Sequence, residues 1–293
     1  MEDKPQLRKI YAKYPKQYLM ETDKGARDVF SGEFITGEQQ SLLMSKPKRE
    51  EILRYVTLID EFPEDRLDQF DMSVHDAINT IYHSGYDVMS IPMVIRTMSG
   101  NPHLKPSEMQ VERVLSIVKR LLSTGIDIVY NQEAEAYRFD DEGDGYHYYG
   151  TLLCGEITTA NINGRIVDTC LHLHREPILA TLARKKKQIA TIDMRMLNTP
   201  IGMSEENIVL RNYLLLRIEQ CRHNKQQELL SNRTIRLESV YKVLHISHND
   251  YYKKTRLRQK IAKLMDYWKA QKFFYDYSFS DEKFVLDFLP SRF

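Results

Sequence analysis

The chain has 293 residues, of which 42% are apolar and 28% charged, a composition typical of a globular protein with about two domains. No apolar run approaches the roughly 18 residues of a membrane span, and the first residues lack the basic and apolar regions of a secretory signal. The three cysteines, at positions 154, 170 and 221, have no spacing that predicts a disulfide framework. No glycine-rich nucleotide motif occurs. We therefore expect a cytoplasmic protein without membrane, cofactor or metal.

The charge is unevenly distributed along the chain. Residues 208–272 contain fifteen Lys and Arg against five Asp and Glu, a net charge of +10. Because the whole chain carries only +1, the remainder sums to −9. Positive charge concentrated in one segment is typical of nucleic-acid binding, since each cation that meets a phosphate releases condensed counterions.

Residues 1–50 alternate Lys and Tyr and then contain three glycines, without sustained apolar periodicity. We expect a flexible N-terminal arm here. The segment Ile52–Ile59 follows as a predicted strand, and a run of carboxylates lies between Asp60 and Asp76.

Residues 51–145 form the first predicted domain. Apolar spacings of three and four predict helices over Met72–His83 and Ile91–Met98 and a third helix after Ser107. The segments Ile126–Tyr130 and Ala136–Phe139 are then predicted to form a strand pair. This order of three helices and a hairpin is the first half of an apparent internal repeat.

Residues 146–203 are predicted to connect two domains. Two strands, Tyr148–Thr159 and Arg165–His174, flank Asn163-Gly164, which is a strong hairpin-turn signal because both central residues of such a turn need positive φ. A helix is predicted after Pro177. The connector is therefore a β-hairpin and a helix.

Residues 204–293 repeat the order of the first domain. Helices are predicted over Asn207–Arg222, over Leu237–Leu244 and within Ser247–Lys272, followed by strands Phe273–Tyr277 and Phe284–Phe288. The predicted fold class is therefore α+β, with two winged-helix domains (a helix-turn-helix plus a β-hairpin wing) in tandem, joined by the connector.

The third helix of the second domain has the division of faces that a DNA recognition helix needs. Leu257, Ile261, Leu264 and Trp268 fall on one apolar stripe, while polar donors lie around the rest of the helix. We expect Arg256, Arg258 and Gln259 to contact base edges and the lysines to contact phosphates. The predicted DNA-binding set of this domain is Lys253, Lys254, Thr255, Arg256, Arg258, Gln259, Lys260, Lys263 and, in the wing, Lys283.

The third helix of the first domain is less basic. Gln110, Arg113 and Arg120 give it a weaker predicted DNA contact, but Glu108 and Glu112 lie among them. A surface for self-association or for a host protein is favoured, because an acidic face repels phosphate.

A nickase is an alternative. His172-Leu173-His174 and Tyr251 are similar to the metal-binding pair and the nucleophilic tyrosine of HUH-type nickases and rolling-circle initiators. Cys170 falls on the same strand face, but its spacing from the histidines is not that of a common zinc site. Half-buried strand residues explain these positions more simply, and no third ligand is evident in an adjacent motif.

The duplicated order and the basic segment Tyr251–Lys260 resemble the replication initiators of plasmids and related bacterial mobile elements that contain two winged-helix domains. The resemblance covers about residues 52–289. It implies double-stranded DNA as partner, repeated origin sequences as the target, recruitment of host replication proteins and, as a further expectation, a homodimer in the bacterial cytoplasm at the nucleoid. Three classes stay open: a non-enzymatic initiator, a transcriptional regulator with the same domains, and a metal-dependent nickase.

Overall fold

The computed structural model describes residues 14–22, 27, 29–31, 56–58, 67–130, 146–162, 165–185, 187–226, 229–247, 249–280 and 282–288. The fold is a mixture of helices and small antiparallel sheets, as the α+β prediction requires. In chain order its elements are β1 (Gln17–Glu21), β2 (Val56–Leu58), α1 (Gln69–His83), β3 (Val88–Ser90), α2 (Ile91–Ser99), α3 (Glu108–Ser123), β4 (Gly125–Tyr130), β5 (Tyr146–Thr151), β6 (Gly155–Ile162), β7 (Arg165–Leu173), α4 (Ile178–Lys185), β8 (Ile189–Asp193), α5 (Glu205–Arg222), β9 (Thr234–Arg236), α6 (Leu237–Val243), α7 (Tyr251–Ala270), β10 (Asp276–Phe279) and β11 (Lys283–Asp287).

Several of the helices begin at side-chain caps that the sequence supplies, whereas α6 has none. Asp68 accepts from the backbone N–H of Phe70 and Asp71 at the start of α1. Ser107 and Gln110 form a reciprocal capping box at the start of α3. Such caps satisfy N–H groups that have no partner within the helix, and each stabilises it by about 1 kcal/mol.

Two units of the chain share one order of elements. The first unit consists of α1, β3, α2, α3, β6 and β7, and the second of α5, β9, α6, α7, β10 and β11. In the first unit β3 pairs with β7, which pairs with β6; in the second, β9 pairs with β11, which pairs with β10. Every one of these pairings is antiparallel. The repeat seen in the sequence pattern is therefore also a repeat of sheet topology.

The hairpin of the first unit differs from the one predicted. The sequence placed it at Ile126–Tyr130 and Ala136–Phe139, but β4 pairs with β5 and with β2 instead, and residues 136–139 lie outside the described part of the chain. The hairpin β6–β7, predicted as part of a connector, is the one that pairs with β3. A three-residue strand such as β3 has too little periodicity to reveal this long-range pairing in advance.

Strand β1 lies in the segment for which a flexible arm was predicted, and here that prediction is wrong. Its five residues pair with β8, from Gln17 opposite Asp193 to Glu21 opposite Ile189. Tyr18 is fully buried and donates its hydroxyl to the carbonyl of Ser73 at 3.0 Å. Strand β1 thus has a buried face that includes Tyr18 and Met20.

Buried polar contacts join the two units. Arg211 of α5 is only 2% exposed and donates to the carbonyls of Met98 in α2 and Leu197, at 2.6 and 2.9 Å. Asn212 donates to Ser73 Oγ at 3.0 Å. Burial lowers the pKa of Arg211 to about 10, so it stays protonated at neutral pH. Because these buried groups lose their hydrogen bonds if the units separate, the contact orients one unit on the other.

Trp268 of α7 packs the second unit onto the segment after β8. Its side chain is fully buried, and its indole N–H donates to the carbonyl of Met196 at 2.9 Å. No helix in the part of the chain that the structure describes is long and apolar enough to cross a bilayer.

Candidate nucleic-acid interface

Helix α7 is anchored to the second unit by one face. Its buried residues recur at helical spacing and are Leu257, Ile261, Leu264, Met265 and Trp268. Asp250 caps the helix by accepting from the N–H of Lys253 at 3.0 Å, and this hydrogen bond lowers the pKa of the Asp250 carboxyl. The helix therefore begins at a fixed point and presents its remaining faces outward.

A polar stripe lies on α7 away from the buried stripe. Tyr252, Arg256, Gln259 and Lys263 follow one another at spacings of four, three and four residues, and all four are exposed. Tyr252 is 83% exposed. Thr255 is exposed beside this stripe and donates its hydroxyl to the carbonyl of Tyr251. Arg256, Gln259 and Lys263, which were predicted to contact base edges or phosphates, thus lie in one solvent-facing row.

Two cations of α7 are positioned by Tyr241 of α6. The Lys254 ammonium lies 5.0 Å from the centroid of the Tyr241 ring, and Arg258 Nε donates to the Tyr241 hydroxyl at 3.3 Å. Arg258 was predicted among the base-contacting residues, whereas the structure places it beside α6, partly buried. Its guanidinium is thus held at the edge of the exposed row.

The start of α5 lies between the third helices of both units. Lys260 of α7 contacts Glu206 at 2.7 Å, and Arg113 of α3 forms a two-pronged contact with Glu205 at 2.8 and 3.2 Å. The two glutamates are consecutive in the first turn of α5, where negative charge is favourable. They therefore hold one cation from each unit.

A second basic pair lies at the wing of the second unit. Arg236 at the end of β9 is directly opposite Lys283 at the start of β11, and both are exposed. Directly opposed residues project from the same face of a sheet, and like charges there destabilise the pairing. An anion bound between them would remove that repulsion.

The side chains of the first unit that were predicted to contact DNA bind other residues of the chain. Gln110 closes the capping box with Ser107. Arg113 is bound to Glu205, and Arg120 contacts the fully buried Asp71. Burial and the nearby Asp68 raise the pKa of Asp71 to about 6. These side chains therefore already have partners within the chain.

The nickase residues lie in different units of the fold. His172 and His174 lie on β7 and after it, in the first unit, while Tyr251 begins α7 in the second. Tyr251 is 75% exposed, and its ring contacts Tyr252 at 6.4 Å between centroids. Among the described residues, no hydrogen bond, ion pair or ring contact joins Tyr251 to either histidine.

Sequence reasoning missed three residues of this surface. Arg236 ends a strand that is too short to predict. Tyr241 matters only because α6 packs beside α7, and Glu206 becomes relevant only through its contact with Lys260.

Comparisons with known proteins add little to this geometry. No protein-family model matches the chain, and no curated protein matches it. A crystal structure of domains 2 and 3 of RctB aligns with 80% of this chain and 91% of that chain, at 10% identity and a TM-score of 0.37. A similarity this low does not establish a common fold.

Proposed function

We propose that the chain is a sequence-specific double-stranded DNA-binding protein and that α7 enters the major groove. The observation that carries the proposal is the exposed row of Arg256, Gln259 and Lys263 on the side of α7 away from its buried stripe. Arg and Gln are the side chains that make two-pronged hydrogen bonds to guanine and adenine edges. The row therefore has the chemistry to distinguish base pairs.

Both units are proposed to be winged-helix domains. The support is the shared element order and the shared strand order, in which the strand after the first helix pairs with the last strand of the hairpin. On this proposal α6 and α7 form the helix-turn-helix of the second unit, and β10–β11 its wing. The first domain then extends from α1 to the end of β7, with β4 and β5 inserted before its wing.

The remaining cations are assigned to the DNA backbone. Lysine is a compact point charge that suits phosphate oxygens. Tyr241 holds Arg258 beside the exposed row, which suits a phosphate contact better than a base contact. The proposed phosphate contacts are Lys253, Lys254, Arg258, Lys260, Lys263, Arg236 and Lys283.

The first unit is proposed to face protein rather than DNA. Arg113 and Arg120 are already paired with Glu205 and Asp71, and the chain outside residues 208–272 carries a net charge of −9, since the total is +1 and the segment +10. A second copy of the chain or a host replication protein is the proposed partner of this unit.

The proposed biological role is replication initiation on a plasmid or an integrated mobile element, through binding of origin repeats. Two units held in one orientation by Arg211 suit a protein that docks DNA with one unit and a partner with the other. Footprinting of the purified protein on DNA from its own locus tests this role directly. We expect several protected direct repeats. A single protected site overlapping a promoter would indicate a regulator instead, and no protected site would contradict DNA recognition altogether.

A further inference from the structure

Three potential metal ligands meet on the hairpin of the first unit. His172 and His174 have ring centroids 5.2 Å apart, and His172 Nδ1 lies 3.5 Å from Glu156 Oε1. One ligand atom from each of the three residues lies within 4.8 Å of the others. The Glu156 side chain is 58% exposed and that of His172 is 38% exposed, so a cation can reach the group from solvent.

Strand geometry explains why these side chains converge. Residues two apart on a strand project from the same face, which places His172 and His174 together. Glu156 of β6 is directly opposite His172 of β7. On the other face, Leu171 and Leu173 are buried in the core. The outer face of the hairpin thus carries the polar group, and the inner face holds the hairpin in place.

A β-bulge sets this register. Asn161 pairs with Ile166, but Ala160 pairs with Asp168, so β7 contains one extra residue between them. If the bulge were absent and Val167 paired with Ala160, Glu156 would lie opposite Leu171, and its carboxylate would project from the buried face. Gly155 makes the close pairing possible, because a Cβ there would lie 2.2 Å from the carbonyl oxygen of His172.

We propose that Glu156, His172 and His174 bind a divalent cation of the zinc class. Two imidazoles and one carboxylate are a donor set that zinc takes in proteins, with a fourth position left to water. Imidazole donors favour Zn²⁺, Ni²⁺ and Cu²⁺, whereas Mg²⁺ prefers oxygen donors. Cys170 is not part of the group, since it lies outside the cluster of mutually close ligand atoms.

The cation would bridge β6 and β7 and so fasten the hairpin of the first unit. Glu156 contributes from one strand and His172 from the other, and a cation that binds only the folded state raises its stability. This site is independent of the DNA-binding surface on α7, so its test does not depend on the proposed function.

The test is equilibrium binding of Zn²⁺ to the full chain without a histidine tag, by calorimetry, with Mg²⁺ as the comparison ion. We expect one zinc per chain, no competition by Mg²⁺, and a rise in Tm on adding zinc. His172→Ala and Glu156→Gln should each weaken zinc binding more than about tenfold, since even the loss of an outer-shell partner costs roughly 10–100-fold.

His103→Ala is the matched control, because it removes an exposed histidine from the loop before α3. It should leave both the zinc affinity and the Tm rise unchanged. Circular dichroism of each variant establishes that it is folded, and Glu156→Gln keeps the size of the side chain. Equal weakening in His103→Ala, or unchanged zinc affinity in folded Glu156→Gln and His172→Ala, would overturn the proposal.

Discussion

Lys260 of the proposed recognition helix contacts Glu206 of α5 with its ammonium 2.7 Å from the carboxylate. The neighbouring residue, Glu205, holds Arg113 of the first unit. The free protein therefore pairs one of its proposed phosphate contacts with an internal anion. A phosphate must compete with that carboxylate when DNA binds, and the competition lowers the affinity of the complex.

Removing this competition should strengthen DNA binding. We predict that Glu206→Gln raises affinity for any duplex roughly two- to fivefold, because a partly exposed ion pair contributes about 0.2–1 kcal/mol. Fluorescence anisotropy with a labelled duplex measures the change. Glu205→Gln is the matched control: it removes the same charge one residue earlier but leaves Lys260 paired, so a smaller gain is expected. Equal gains in both variants would show that the overall field, and not the Lys260 contact, sets the effect.

The opposed cations of the wing should affect stability and binding in opposite directions. Arg236→Ala or Lys283→Ala removes a like-charge cross-strand pair, which should stabilise the fold by a few tenths of a kcal/mol, about the lower end of such pair energies. The same change should weaken binding to all sequences and reduce the slope of log affinity against log salt by about 1. Urea unfolding and anisotropy at several salt concentrations measure the two effects. A variant that loses stability but retains the full salt slope would place this pair outside the interface.

DNA cleavage should be absent. The histidine pair and Tyr251 belong to different units, and no described contact joins them. We predict that the protein does not nick supercoiled or single-stranded DNA from its locus with Mg²⁺ or Mn²⁺. We also expect Tyr251→Phe to bind duplex DNA within about twofold of the unaltered chain, since the ring is retained. A covalent protein–DNA adduct that disappears in Tyr251→Phe would establish the nickase alternative.

Stability should fall as the pH rises above neutral, because of Asp76. Its side chain is buried in α1, and burial raises the pKa of the carboxyl to about 8. Burial also lowers the pKa of the adjacent His75 to about 4, so His75 is neutral in the folded state above pH 7. The folded chain then binds a proton at Asp76 that the unfolded chain has released, and this stabilisation is lost as pH rises through 8.

The Asp76 contribution should fall by about 1 kcal/mol between roughly pH 7 and pH 9, since one unit of pKa corresponds to about that free energy. Asp76→Asn keeps the shape and should remove most of this pH dependence in urea unfolding. Asp87→Asn, at an exposed carboxylate before β3, is the control and should leave it intact. A pH dependence that persists in Asp76→Asn would assign it to another group.

Local patterns predicted the helices well. The buried residues of α3 and α7 follow the apolar spacing seen in the sequence, because a helix face is set by neighbours three and four residues away. In α1 every residue from Phe70 to Ile81 is buried, so its apolar stripe did not reveal how fully it is enclosed. The wing strands of the second unit were also predicted, with shifts of a few residues at their ends.

Long-range pairing was not predictable. Strand β1 finds its partner at Ile189–Asp193, and β3 finds its own on β7; such pairings leave no periodic signal in one sequence. The same holds for Glu156, whose place opposite His172 depends on the β-bulge between β6 and β7. A contact such as Lys260 with Glu206 likewise needs the packing of α7 beside α5.

The proposed function requires that the exposed face of α7 distinguish DNA sequences. This requirement is tested by comparing the DNA affinities of Arg256→Ala and Lys225→Ala. Lys225 is an exposed cation just after the C-terminal end of α5, whereas Glu206 lies at the N-terminal end of that helix. Each variant is titrated with a footprinted site and with a scrambled duplex at one salt concentration. We predict that Arg256→Ala loses about 1–3 kcal/mol of discrimination between the two duplexes, the equivalent of one two-pronged base contact, and that Lys225→Ala loses none. Unchanged discrimination in a folded Arg256→Ala protein would contradict the assignment of α7 as the recognition helix.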